Sequence, residues 1–213
     1  MLNIKEAYKN FRFQVRDLLF NKGNRARLEN HEFSIICSDC TAGCVCKDLQ
    51  EKMRSPTRNF YFNADGYIKF LGDLEHYLSL PLTEDENPPA TEYLTAMCGD
   101  VRLFLVHYDS VQQAQEEWER RKGRVNFDNL FFLMNDRNFC TEEHIAAFDA
   151  LPYPNKVCFT HKKYPQYKST FYLPDSDDKK ELRPVMNYIH QWWIRRYYDY
   201  FDFVAWLNKV KSK

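Results

Sequence analysis

The sequence predicts an α/β fold in which strands and helices alternate around a mainly parallel sheet with helices on both of its faces. Short apolar runs typical of strands begin at Phe33, Asn59, Val101, Asn129 and Lys156, and a stretch with helical apolar spacing follows most of them. Parallel neighbours need long crossover connections, which are usually helices. We expect residues 31–213 to form one α/β domain that ends in an aromatic-rich helical segment.

The first thirty residues differ from the rest in charge. Ile4, Tyr8, Phe11, Val15 and Leu18 recur at helical spacing, which predicts an amphipathic helix over residues 1–30. Seven Lys and Arg stand there against three Asp and Glu, although the whole chain carries no net charge. Two interpretations follow: the apolar stripe packs on the domain, or the basic helix rests on an anionic membrane surface.

Composition indicates where the protein resides in the cell and which classes of partner it binds. A neutral chain has no basic field for nucleic acid, so we expect no nucleic-acid partner. No segment has the pattern of a signal peptide or a membrane span, and seven cysteines, four of them within ten positions, indicate reduced thiols. We therefore expect a cytoplasmic protein, or one peripheral to the inner face of the membrane. The oligomeric state stays open.

Polar residues follow four of the predicted strands. Because the carboxyl ends of parallel strands meet at one edge of a sheet, we expect these groups to converge there and bind a ligand. The groups are Ser38-Asp39-Cys40, His107-Tyr108, Asn135-Asp136-Arg137 with Cys140, and His161-Lys162.

One catalytic hypothesis places Cys40 as a nucleophile. A thiol at a strand-to-helix turn lies near a helix N-terminus, which lowers the pKa of a cysteine. With His107 as base and Asp136 orienting its ring, the three residues suit acyl transfer. The N–H groups from Thr41 to Gly43 would face the oxyanion. The alternative is a structural cysteine that only lines a pocket.

The remaining candidates bind substrate or donor. Arg137 and Lys162 suit the phosphate of an acyl-CoA or a nucleotide-sugar donor, the alternative being an ordinary surface ion pair. Further substrate-binding candidates are Ser38, Asp39, Gly43, Tyr108 and Cys140. No metal site is expected, because Cys44 and Cys46 would lie about 200° apart on a helix that follows Cys37 and Cys40. Motifs for dinucleotides, NTP hydrolysis and serine hydrolases are missing from the sequence.

The chain also resembles a bacterial family, domain of unknown function 1919, from Phe33 to about Asn208. The segments that carry the resemblance are Phe33-Ser-Ile-Ile with Cys40 and Gly43, Ser55-Pro-Thr57, Tyr67-Ile-Lys-Phe-Leu71, His107-Tyr108, Arg124-Val-Asn-Phe-Asp-Asn-Leu-Phe131, Asp136-Arg137 with Cys140-Thr-Glu142, Phe148-Asp149, and Phe159-Thr160 with Lys162 and Tyr164-Pro165. The family pattern Asn-Cys-Trp-Gly-Gly is Asp39-Cys-Thr-Ala-Gly43 in this chain.

Members of that family are often labelled exopolysaccharide biosynthesis proteins. The resemblance implies an α/β fold and a role in exopolysaccharide or capsule biosynthesis, with a saccharide or polysaccharide precursor as partner. Three functions remain open: an acyl transferase that uses Cys40, a glycosyl or phospho-sugar transferase in which Asp136 and Arg137 contact a nucleotide-sugar, and a non-catalytic binding or scaffold component.

Overall fold

The structure is a computed structural model that describes residues 4–177, 179–190 and 192–210. Its helices are α1 (Ile4–Arg16), α2 (Lys22–Arg27), α3 (Thr41–Leu49), α4 (Ala64–Gly72), α5 (Leu74–Ser79), α6 (Val111–Lys122), α7 (Glu142–Ala150) and α8 (Phe203–Leu207). Its strands are β1 (Ser34–Cys37), β2 (Phe60–Tyr61), β3 (Leu82–Glu84), β4 (Leu94–Cys98), β5 (Val101–Leu105), β6 (Leu130–Asn135), β7 (Lys156–Thr160) and β8 (Thr170–Tyr172).

Two four-stranded sheets organise these elements. One is parallel, in the order β1-β6-β7-β8, and the other is antiparallel, in the order β2-β5-β4-β3. The predicted α/β class is confirmed, but the expectation of a mainly parallel sheet is only partly confirmed. The strand predicted at Val101 turns back on β4 through Gly99, whose φ of +58° suits glycine at this hairpin.

The parallel sheet separates two hydrophobic cores. Along β6, Phe131 and Leu133 face one core, whereas Phe132 and Met134 face the other. Successive side chains of a strand point to opposite faces, so both faces of the sheet are buried. Helices α4 to α7 and the antiparallel sheet cover one face, and α3 and α8 cover the other. The predicted helices on both faces are therefore present.

The N-terminal helix forms, but apolar side chains of its predicted stripe face outward and one of its arginines faces the domain. Helices α1 and α2 are joined by a π-helical segment, Asp17–Asn21. Phe11 and Leu18 of the apolar stripe are exposed, whereas Arg16 is fully buried between Asp48 and Asp199. Packing of the stripe on the domain is therefore wrong, because the two buried carboxylates draw the arginine face inward. No helix of the described ranges is long and apolar enough to cross a membrane.

The aromatic C-terminal segment is mostly not helical, contrary to prediction. Between Leu182 and Leu207 the structure has a loop closed by a bridge between Tyr188 and Arg196, a 3-10 turn at Tyr197–Tyr200, and the short helix α8. Three of these rings, those of Phe201, Phe203 and Trp206, pack by edge-to-face contacts onto the parallel sheet, as Trp206 does on Phe131. Their spacing reflects this packing and not a helical period.

The ion pairs of Arg16 predict a large stability difference between two arginine substitutions. Arg16→Met leaves the buried carboxylates of Asp48 and Asp199 without their cationic partner and should lower the free energy of unfolding by about 3–5 kcal/mol. Arg27→Met removes an exposed pair with Asp202 and should cost at most about 1 kcal/mol. Urea denaturation measures both, and equal costs would contradict the structural role given to Arg16.

Candidate functional site

Three of the four polar groups converge at the carboxyl edge of the parallel sheet. The Ser38 hydroxyl accepts a hydrogen bond from the backbone N–H of Asn135 at 3.1 Å, which joins the ends of β1 and β6. The Asn135 side-chain amide donates to Asp39 at 2.7 Å and to the Thr41 hydroxyl at 3.2 Å. The end of β7 joins them through His161. A network of side-chain hydrogen bonds therefore fixes this edge.

Asp136 is paired with His161 and not with His107. The Asp136 carboxylate accepts hydrogen bonds from the backbone N–H and from Nδ1 of His161, and both side chains are buried. With the proton on Nδ1, the Nε2 atom carries a lone pair, and it has no hydrogen-bond partner among the described residues. The Asp136 carbonyl also accepts from the N–H of Leu182 at 2.9 Å. The Asp136 backbone thus joins this edge to the segment that contains Leu182, while its side chain holds His161.

The fourth group does not join this network, because β5 belongs to the antiparallel sheet. His107 is exposed just beyond β5, and its neighbour Val106 lines the cavity beside Cys40 in its place. Tyr108 is buried, donates to the Arg58 carbonyl at 3.1 Å and stacks on Phe60. The expectation that His107 and Tyr108 join the parallel edge was wrong, since β5 pairs antiparallel with β2 and β4 and only Val106 at its end lines the cleft.

A cleft of about 260 Å³ opens at this edge, between the two sheets. We call it the edge cleft; its lining residues are Asp39, Cys40, Tyr61, Tyr93, Val106, Arg137, Asn138, Pro184 and Met186. The Tyr61 and Tyr93 rings meet edge to face at 5.6 Å, and Tyr61 stacks on Phe104 at 4.3 Å. Arg137 forms a loose ion pair with Glu181: its Nη2 atom lies 3.7 Å from Oε1 of Glu181, beyond hydrogen-bond distance. The cleft thus combines aromatic rings, a carboxylate and a guanidinium.

The environment of Cys40 keeps its thiol protonated. Burial, with a smaller effect of Asp39, raises the pKa of Cys40 to about 12, and its Sγ lies 3.9 Å from the Phe60 carbonyl. The N–H of Thr41 donates to Asp39 at 2.9 Å, and that of Gly43 donates to the Cys40 carbonyl at 3.1 Å. These donors are already used within the turn, so they do not form the predicted oxyanion site.

The other candidates have separate positions. Asp39 and Arg137 line the edge cleft, whereas Lys162 is exposed and does not line it. Gly43 has room for a side chain, since a Cβ atom there would meet only the Arg58 side chain at 4.0 Å. The Cys140 thiol lies beside Asp136, and burial together with that carboxylate raises its pKa. Cys140 is therefore a neutral thiol that contacts Asp136 and does not line the edge cleft.

Tyr61, Tyr93 and Met186 line the cleft although the sequence patterns do not predict them as site residues. Tyr61 belongs to the antiparallel sheet, Tyr93 directly precedes β4, and Met186 comes from the C-terminal loop that was predicted to be helical. His161 was grouped with the strand ends without a role. The cleft depends on how the two sheets pack, which local sequence patterns do not reveal. Of the three residues, only Tyr61 lies in an apolar run that predicts a strand.

A second cavity of about 260 Å³ lies between the N-terminal helix and the C-terminal segment. Its charged lining residues include Arg16, Asp48 and Asp199, which are paired with one another. The edge cleft lies instead beyond the carboxyl ends of parallel strands, where ligands bind in open α/β sheets. We therefore take the edge cleft as the candidate site.

The raised pKa of Cys40 predicts slow alkylation. At pH 7 iodoacetamide should modify Cys40 more slowly than an ordinary thiol of pKa about 8.5, and the rate should still be rising above pH 10. Mass spectrometry of the alkylated peptides measures this, with the urea-unfolded chain as the control whose rate levels off near the ordinary pKa. A plateau below pH 8 in the folded protein would contradict the assignment.

Comparisons with known proteins agree on one family. The model of a domain of unknown function, DUF1919, matches residues 11–208. A Haemophilus influenzae protein described as an uncharacterized protein is 34% identical over 188 residues, which cover 88% of this chain and 90% of the relative. The earlier resemblance is thereby confirmed at the level of the family. On both matches, this chain is a member of the DUF1919 family.

Proposed function

We propose that the protein is a transferase that acts on a saccharide precursor of a surface polysaccharide, with a nucleotide-sugar as donor, bound in the edge cleft. The observation that carries the proposal is the composition of this cleft, which Tyr61 and Tyr93 line together with the cationic Arg137. The family resemblance to proteins labelled for exopolysaccharide biosynthesis supports the same substrate class. The donor would supply the sugar or phospho-sugar group that is transferred.

The tyrosine rings suit the sugar. Tyr61 and Tyr93 are partly exposed, and each presents an apolar face with a polar hydroxyl at its end. Such rings can pack on the C–H face of a sugar while the hydroxyls exchange hydrogen bonds with it. Stacking on Phe104 fixes the plane of Tyr61 before any ligand arrives. The aromatic wall is therefore preorganised for a flat, amphipathic ligand.

Arg137 suits the phosphates of the donor. A planar guanidinium binds a phosphate through two parallel hydrogen bonds. Arg137 also lines a neighbouring groove of about 490 Å³, which includes the exposed Lys179 and Lys180. The groove also contains Glu181, but its lining includes four basic residues, so a diphosphate that leaves the cleft along it would meet a net positive charge. The sugar would then lie toward Tyr61 and the leaving phosphate toward Arg137.

The carboxylate of Asp39 is the group best placed to accept a proton. The hydroxyl oxygen of the acceptor would form a bond to the transferred group as the bond from that group to the donor phosphate breaks. The hydroxyl proton would pass to Asp39, and Arg137 would stabilise the negative charge on the leaving phosphate. Asp136 and His161 are buried, so we give them a positioning role: they hold Arg137 and the Leu182 segment in place.

The acyl-transfer alternative has less support in this cleft. A nucleophilic cysteine needs a thiolate or an adjacent base, but burial keeps the Cys40 thiol protonated. The imidazole proposed as its base, that of His107, does not line the edge cleft. A binding or scaffold role without chemistry would keep ligand binding but lack turnover, and the two tests below separate it from catalysis.

Substitution of the cleft residues should weaken donor binding. Arg137→Gln removes a charged hydrogen-bond donor and should raise the Kd for a nucleotide-sugar by about tenfold or more. Tyr93→Ala should weaken binding in the same direction. Isothermal titration against a set of nucleotide-sugars measures both, with Arg54→Gln, whose ion pair with Glu32 lies outside the cleft lining, as the matched control. Equal affinities for Arg137→Gln and the control would overturn the assignment of Arg137.

Turnover should distinguish Asp39 from Cys40. Asp39→Asn should lower kcat by about 10² or more, because the proton acceptor is lost, whereas Cys40→Ser should leave kcat within a few-fold. Transfer from the donor that binds best, followed by mass spectrometry of the products, measures both rates. Loss of turnover in Cys40→Ser, together with acylation of Cys40 in the unsubstituted protein when an acyl-CoA is the donor, would restore the covalent mechanism.

A further inference from the structure

We propose that α1, the π-helical segment that follows it and the tip of the C-terminal loop form one surface that docks on an anionic lipid bilayer. This surface, here called the apolar face, consists of Tyr8, Phe11, Leu18, Leu19, Trp192 and Trp193. The proposal concerns a part of the molecule away from the edge cleft. It does not depend on the reaction proposed above.

The apolar face is unusual in the size and exposure of its side chains. Leu18 and Leu19 are 66% and 69% exposed, Phe11 is 63% exposed, and Trp192 is 82% exposed. Single exposed apolar side chains are common, but a contiguous set of large ones indicates an interaction surface. The edge-to-face contact of Tyr8 with Trp192, with ring centroids 6.2 Å apart, joins helix and loop into one patch.

The fold holds this face outward. On a different side of the helix from Phe11 and Leu18, Arg16 is buried in ion pairs with Asp48 and Asp199. One turn earlier, Arg12 donates from Nε to the Trp193 carbonyl at 2.7 Å, and its guanidinium lies over the Tyr188 ring. Rotation of the helix to bury its apolar stripe would break all of these contacts. The exposed stripe is therefore a consequence of the buried arginines.

The chemistry of the patch fits a lipid surface. Trp and Tyr favour the interface between the headgroups and the hydrocarbon, and Leu and Phe insert below it. Arg16, Arg25 and Arg27 of the N-terminal helical segment are in ion pairs, whereas Lys9 and Lys22 are exposed. Anionic headgroups complement these charges.

The loop also connects the apolar face to the edge cleft. It runs from Val185 to Tyr198 and is closed by backbone hydrogen bonds such as that from Tyr198 to Val185 at 3.1 Å. Met186, near its base, lines the cleft, whereas Trp192 lies near its tip. Docking of the tip on a bilayer would hold this wall of the cleft close to the membrane surface.

Co-sedimentation of the full chain with vesicles tests the proposal. We expect binding to vesicles of phosphatidylcholine with phosphatidylglycerol, weaker binding to phosphatidylcholine alone, and a loss of affinity as salt is raised. The double substitution Leu18→Ser with Leu19→Ser should weaken binding at least about tenfold, because it removes two side chains that enter the lipid. These side chains are exposed, so folding should be retained, as circular dichroism can verify.

Phe127→Ser is the matched control, since Phe127 is 51% exposed but belongs to the turn before β6. It should bind vesicles as the unsubstituted protein does. Several outcomes would overturn the proposal: no vesicle binding, equal binding to neutral and anionic vesicles, or equal loss in the control. A dimer in light scattering that the double substitution dissolves, without vesicle binding, would assign the face to a second copy of the chain.

Discussion

The parallel pairing of β1, β6 and β7 is the constraint on which the rest of the structure depends. Both faces of these strands are buried in hydrophobic cores, so a shift of one residue would move every side chain to the wrong core. Packing therefore fixes the register, in which Ile35 of β1 pairs with Phe131 of β6 and Leu133 of β6 pairs with Val157 of β7. With the register fixed, Asp39, Asn135 and Asp136 emerge at one edge, where hydrogen bonds can join them.

The edge cleft exists because a second sheet packs beside this edge. Its short strand β2 supplies Tyr61, and the Tyr93 ring contacts that of Tyr61. The same packing desolvates Cys40 and so raises the pKa of its thiol. One structural feature thus disfavours thiolate chemistry and provides an aromatic wall, which is why we derive the function from the carboxylate of Asp39 and the guanidinium of Arg137.

Much of the fold could be predicted from local patterns. Strands β1, β6 and β7 and helices α3, α6 and α7 follow from apolar periodicity and turn residues, and Ser110 caps α6 as expected, accepting from the N–H of Gln113 at 3.1 Å. The convergence of Asp39, Asp136 and His161 followed from the rule for parallel strands. These features depend on neighbours in sequence or on one topological rule.

The remaining features depend on contacts between distant residues. The apolar run at Val101 has the same pattern in either strand direction, so the position of His107 could not be predicted from it. The orientation of α1 depends on Asp48 and Asp199, which lie 32 and 183 positions from Arg16. The amphipathic pattern alone favours burial of the apolar stripe, whereas three buried charges that must be paired outweigh it.

Hydrogen–deuterium exchange, with and without a bound nucleotide-sugar, tests the central claim that the edge cleft is the ligand site. We predict slower exchange in the peptides that contain Tyr61, Arg137 and Leu182; the N–H of Leu182 donates to the Asp136 carbonyl and closes the edge. Protection confined to residues 16–24 and 195–204, which line the second cavity, would contradict the account and move the site to the interface of the N-terminal helix with the C-terminal segment.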